Sequence, residues 1–157
     1  MAKDLGKVLK ETKIQSLSLR KPLCVKGDVT IEKVISLMEQ QRNGSALIEE
    51  HEKPVGIFTE QDLLKRVIEP VLSLKTAVQD VMTPAPKTLK FDDSVADAIK
   101  VMREGGYRHI PLVDHHGKIQ GILSVRELIR HLAEHFPHEV YNLPPDIHQV
   151  QRAPDGA

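Results

Sequence analysis

The chain is 157 residues long and carries 22 Lys+Arg against 22 Asp+Glu, so its formal net charge is zero. A 40% apolar content with 28% charged residues describes a folded chain with room for a core and argues against disorder. Balanced charge and five aromatics (three Phe, two Tyr) argue against a general nucleic-acid binder, and the single cysteine excludes an internal disulfide or a Cys-rich zinc site.

No apolar run approaches the roughly 18 residues of a membrane span. The start, Met1-Ala2-Lys3-Asp4-Leu5, has no hydrophobic signal core, so a cytoplasmic location is expected. Residues 1–13 place Leu5, Val8 and Leu9 at helical spacing and read as an amphipathic lead-in. After Pro22, the segment 23–25 reads as a short strand containing Cys24, which is expected to be a buried small hydrophobe. Thr30 opens a helix whose buried stripe is Ile31, Val34, Ile35 and Met38. Strands follow over 46–48 and 55–58, joined by the polar turn 49–54. A second helix carries Leu63, Leu64, Val67 and Ile68 as its apolar stripe.

The order then recurs. A short extended piece over 88–90 precedes a helix opened by Ser94 with Asp97, bearing Val95, Ala98, Ile99 and Met102. Strands over 110–113 and 119–123 flank the turn 114–118, and a closing helix carries Val125, Leu128, Ile129 and Leu132. Residues 136–157, with Pro137, Leu143-Pro144-Pro145 and Pro154, read as an extended arm.

The recurrence is a duplication. A shift of 64 residues superposes Pro22 on Pro86, Asp28 on Asp92 and Met38 on Met102. After one inserted residue, a shift of 65 superposes Gly56-Ile57 on Gly121-Ile122, Thr59 on Ser124 and Leu63 on Leu128. Each unit, 14–75 and 76–135, reads β-α-β-β-α, and about 60 residues bury too little surface to be comfortable alone. The expected fold is α+β, with the two sheets packed face to face about a pseudo-two-fold axis.

Gly56-Ile57-Phe58-Thr59-Glu60-Gln61-Asp62-Leu63-Leu64 resembles the G-h-h-T-x-x-D-h-h signature of a CBS domain. Tyr107 to Val113, followed by Gly121 to Leu128, resembles a second copy, and Val81-Met82-Thr83-Pro84 resembles the opening of a repeat. The resemblance spans residues 14–135 and is that of a free-standing CBS pair, or Bateman module. It implies adenine-nucleotide binding (AMP, ADP, ATP or NAD) between the repeats, a homodimer and an effector protein that reads occupancy. It also implies that the ribose pair of one repeat works with the phosphate group of the other. On that reading Thr59 and Asp62 hold the ribose, and Arg108, His109 and Arg126 meet phosphate, with Pro111 in the same motif. Backbone near Pro86 and Lys87 then meets the adenine edge, and aliphatic side chains sandwich the base.

The chemistry of the residues agrees: a carboxylate accepts from a diol, and a guanidinium grips phosphate through a planar fork. The helix that Thr59 opens would add free amides and partial positive charge. By the same offsets a weaker mirror site comprises Ser124 and Glu127 for ribose, with Gly44, Ser45 and Gln61 at the phosphate. Its phosphate positions are all neutral, so one tight nucleotide site per chain is expected.

Plainer readings stand beside these. Thr59-x-x-Asp62 and Ser124-x-x-Glu127 both have the spacing of helix capping boxes. For the first the facing arginines favour ligand contact, and for the second capping alone is favoured. His131 and His135, with His138 beyond, are spaced for a metal pair but also suit a polar helix end. No catalytic constellation stands at recognisable spacing, so no enzyme is expected. The alternatives are an interaction scaffold with empty clefts, or a metal-responsive module that zinc would stabilise.

Overall fold

The computed structural model describes residues 4–135. The expected arm over 136–157, and His138 within it, lie outside the described residues. In chain order the elements are α1 (Leu5–Glu11), β1 (Cys24–Val25), α2 (Ile31–Gln41), β2 (Ser45–Glu50), β3 (Lys53–Thr59) and α3 (Glu60–Asp62), which runs on as a wide π-type helical stretch, Leu63–Ile68. Then come β4 (Thr83–Pro84), α4 (Val95–Gly105), β5 (His109–Val113), β6 (Ile119–Ser124) and α5 (Val125–His135).

Two of the three eleven-residue helices, α2 and α4, start and stop where local chemistry requires. The Thr30 hydroxyl accepts from the Lys33 amide at 3.3 Å, capping α2. Ser94 and Asp97 form both arms of a capping box on α4, at 3.0 and 3.1 Å. Asp97, held by those bonds to Ser94, has its carboxyl below the usual range. α2 ends on Arg42 and α4 on Gly106, both in the left-handed conformation that turns a chain out of a helix. Each helix buries the equivalent set: Ile31, Val34 and Met38, then Val95, Ala98 and Met102.

One sheet has the order β1-β2-β3-β4, with β1 parallel to β2 and the other pairs antiparallel. The other is the antiparallel pair β5-β6. The strand expected over 88–90 reduces to one parallel bridge, in which the Leu89 amide donates to Pro111 O (3.1 Å) and Leu89 O accepts from Val113 N–H (2.9 Å). The reason is local: the Asp93 carboxylate takes the Lys90 amide at 2.7 Å and turns the chain away from the ladder. The sheets meet through Leu47 and Ile57 on one side and Ile122 on the other, with Cys24 and Ile119 packed alongside. Cys24 is half-buried rather than buried, and burial pushes its thiol pKa up.

The repeats exchange their leading segments. Ile14 and Leu17, in sequence part of the first repeat, pack with Val95, Ala98 and Met102 in the core of the second. Ile14 N–H donates to Asp93 O at 2.9 Å and Gln15 N–H to Phe91 O at 3.0 Å. Reciprocally, Val78 and Val81 pack with Ile31, Val34 and Phe58 in the first core, and Val78 N–H donates to Val29 O at 2.8 Å. Leu9 of α1 joins the second core as well.

The expected stripe of the helix after β3 is corrected. Only Val67 of that stripe is fully buried, whereas Leu64 and Ile68 are 58% and 55% exposed. The wider π-type winding rotates successive side chains away from a 3.6-residue stripe. In α5 the buried residues are Glu127, Leu128 and His131, while Ile129 points outward.

Candidate functional site

A cavity of about 320 Å³ opens at the carboxyl end of β3. Thr59 ends that strand and caps the helix behind it. Its hydroxyl accepts the Asp62 amide at 3.3 Å, while Asp62 Oδ2 accepts the Thr59 amide at 2.9 Å and the Thr59 hydroxyl at 3.1 Å. Asp62 is only 9% exposed. Its other oxygen, Oδ1, accepts from the Thr83 hydroxyl at 3.1 Å and lies 3.6 Å from Arg66 Nε. Capping and cavity-lining are therefore roles of one carboxylate, with Oδ2 committed to the helix start. The guanidinium beside Asp62 is that of Arg66, while Arg108 lines the same cavity.

The opposite wall comes from the second repeat and its leader: Pro86, Lys87, Gly106, Tyr107, Arg108 and His109. Ala85 turns the chain towards this wall with a left-handed backbone (φ 48°), its amide anchored on Val55 O at 3.0 Å. Burial lowers the His109 pKa below its ordinary value, with Glu60 pulling it up and Arg108 pushing it down. Four cations (Lys65, Arg66, Lys87, Arg108) face two carboxylates (Glu60, Asp62) around the cavity.

Of the eight residues expected at the main site, Thr59, Asp62, Pro86, Lys87, Arg108 and His109 line this cavity. Pro111 does not: it is buried in β5 opposite Ile122. Arg126 lies instead in a second cleft of about 720 Å³, with Gly44, Ser45, Ser124 and Glu127 of the mirror set. Gln61, assigned to that mirror set, lines the first cavity. The offset that relates Gln61 to Arg126 holds along the chain, but each of these residues follows its own helix start into the cleft there.

The expectation of a neutral mirror cleft is overturned. Arg20, Arg42, Arg108, Arg126 and Arg130 all line it. Three of them stand at positions the offset comparison never tested. Ser124 and Glu127 do form a capping box, both bonds at 3.2 Å, and Glu127 Oε1 also accepts the Arg20 amide at 3.0 Å. Two of the amides expected to greet phosphate at the Thr59 helix are occupied: Glu60 N–H donates to Gly44 O at 3.3 Å and Asp62 N–H to the Thr59 hydroxyl. The aliphatic sandwich is also incomplete as stated, because Tyr107, 41% exposed, lines the first cavity. The sequence signal for Tyr107 was its place beside Arg108-His109 and that for Thr83 its place in Val81-Met82-Thr83-Pro84; none marked Lys65.

His131 and His135 stack with ring centroids 4.2 Å apart, and His135 Nδ1 lies 3.1 Å from His131 O. Among the described residues no group of three or more His, Cys, Asp or Glu side chains is placed to hold a metal.

The CBS-domain family model matches residues 14–69 and again 78–134. The chain belongs to the CBS-domain family. As a CBS pair it is 33% identical over 124 residues to an uncharacterized 17.7 kDa protein of Acidianus ambivalens, covering 78% of this chain and 74% of that one. It is 33% identical over 106 residues to the CBS domain-containing protein CBSCBSPB5 of Arabidopsis thaliana, but spans only 19% of that protein's length. Among solved structures, a CBS domain protein from Pyrobaculum aerophilum complexed with AMP is 28% identical with a TM-score of 0.69, covering 74% of this chain and 89% of that one. The CBS domain pair of protein MJ0100, solved with 5'-methylthioadenosine and S-adenosylmethionine, shares the fold (TM-score 0.71, 21% identity, 79% and 98% covered). Among the described residues of this CBS pair, no helix is long and apolar enough to cross a membrane.

Proposed function

We propose that this CBS pair is a non-catalytic regulatory module that binds an adenine nucleotide in the 320 Å³ cavity and relays occupancy to a partner protein. One observation carries the reading: a buried carboxylate on the first repeat, Asp62, lines the same cavity as Lys87, Arg108 and His109 of the second. A nucleotide is the ligand class that asks for both a diol acceptor and a cluster of phosphate donors. AMP in the similar Pyrobaculum protein supports the same class. The cavity sits at the small end of the usual range for ligand pockets, about 300–1,000 Å³, which favours AMP, ADP or ATP over a dinucleotide such as NAD.

A ligand that spans the two walls stabilises the inter-repeat geometry in which both can reach it. It shifts that equilibrium only by its differential affinity for the two arrangements. The relay requires a partner, and the second copy of a homodimer belongs to the same proposal. We assign its contact face to the exposed apolar side chains Leu64, Ile68 and Val71.

Thermal unfolding with AMP, ADP, ATP, NAD and S-adenosylmethionine tests the reading. Ligand at about 100 times Kd stabilises by roughly 2.7 kcal/mol, a midpoint rise on the order of 5–10 °C for a chain of this size. The competing reading, a scaffold with empty clefts, draws on the engagement of Asp62 by Thr59, Thr83 and Arg66. It predicts no midpoint change with any of the five.

A further inference from the structure

The two clefts are neighbours that share lining residues. Glu60, Arg108 and His109 line both. The duplication alone would give each cleft its own pair at this position, but the counterparts of Arg108 and His109 are Gly44 and Ser45. Gly44 lets these shared side chains approach the backbone closely: a Cβ there would lie 2.7 Å from Glu60 Oε1 and 3.3 Å from His109 Nε2. The Arg108 guanidinium and the His109 imidazole therefore serve two cavities.

The second cleft offers an anion the denser set of cations. Five arginines line that cleft against two carboxylates, and Glu127 is committed to the Ser124 and Arg20 amides. Glu60, shared by both clefts, opposes an anion in either unless a cation stands beside it. Arg108 is exposed and can turn to only one side at a time.

We propose that the two clefts fill in antagonism: a polyphosphate bound among the arginines of the second cleft recruits Arg108 and lowers the affinity of the first cleft for a nucleotide phosphate. This rests on the nucleotide reading of the first cleft. When Arg108 is drawn across, the first cleft keeps both carboxylates, Glu60 and Asp62, and loses one of its four cations. Occupied clefts also bring two anions to either side of the residues they share, which adds direct repulsion. The antagonism is reciprocal, since coupling between two binding equilibria is symmetric.

The test is a calorimetric titration of AMP into the full chain, with and without inorganic tripolyphosphate, at matched ionic strength. The expected result is AMP binding weakened about fivefold or more, the lower end of ordinary coupling between sites. The variant Arg42→Asn/Arg130→Gln changes two exposed side chains that line only the second cleft, and Asn suits the left-handed backbone at residue 42. It should bind AMP alone as the parent does and lose the tripolyphosphate effect. Persistence of the effect in this variant would mean direct competition in the first cleft and overturns the proposal. AMP binding indifferent to tripolyphosphate in the parent chain also overturns it and leaves the nucleotide reading standing. Absence of AMP binding removes both.

Discussion

Asp62 shows how much one carboxylate can be asked to do. It caps a helix through Oδ2, takes the Thr83 hydroxyl on Oδ1 and still lines the cavity. Asp62→Ala should lower stability in urea by about 1–3 kcal/mol through the lost cap and the orphaned hydroxyl, and weaken AMP binding about tenfold or more. A stability loss with unchanged affinity would restrict Asp62 to capping. His109 contributes a pH dependence whose sign follows from its burial. Its folded pKa is lowered, so as pH falls through about 6.5 the unfolded chain takes up a proton that the folded chain refuses. Stability present above that pH is lost on acidification towards the lower folded pKa, and His131 shifts in the same direction. Urea midpoints at pH 7.5 and 5.5 should therefore differ, and His109→Gln should shrink the difference.

At the scale of elements, the glycine of the Gly56-Ile57-Phe58-Thr59 motif is explained by what crosses it. β4 lies against β3, and a Cβ on Gly56 would sit 2.1 Å from Met82 Sδ. Gly56→Ala should cost about 1–3 kcal/mol by overpacking. Met82→Ala should relieve most of that in a double-mutant cycle, and simple additivity would refute the contact. Arg66 fastens the same crossing, donating to Met82 O at 2.8 Å, and connects it to Asp62. The leader of the second repeat is thus tied to the helix that carries Asp62.

For the whole molecule, the exchanged leaders make the two repeats one cooperative unit. Ile14 is fully buried in the second core although the first repeat encodes it. Ile14→Ala should cost about 2–5 kcal/mol, and hydrogen exchange should show the loss in α4 and β5, not only near residue 14. Protection lost solely in the first repeat would contradict the exchange. The proposed homodimer is tested by Ile68→Glu, which should give a monomer by analytical ultracentrifugation with the unfolding midpoint per chain little changed. A dimer that survives the substitution places the contact elsewhere.

Reading the chain alone determined the duplication, the order of elements, the capped helix starts and the residues of the β3–α3 motif. These are local: an apolar period, a cap or a turn residue acts within a few positions of its own chain. Six of the residues that line the first cavity were legible because the resemblance to CBS pairs implies that the motif of one repeat works with that of the other. Tertiary structure alone decided that Arg126 joins Arg20, Arg42 and Arg130 in the second cleft, that Tyr107 and Arg66 belong to the first, and that each leader completes the other repeat's core. Those outcomes depend on which segments from distant parts of the chain pack together, and no spacing along the sequence encodes the direction in which a side chain faces once they do.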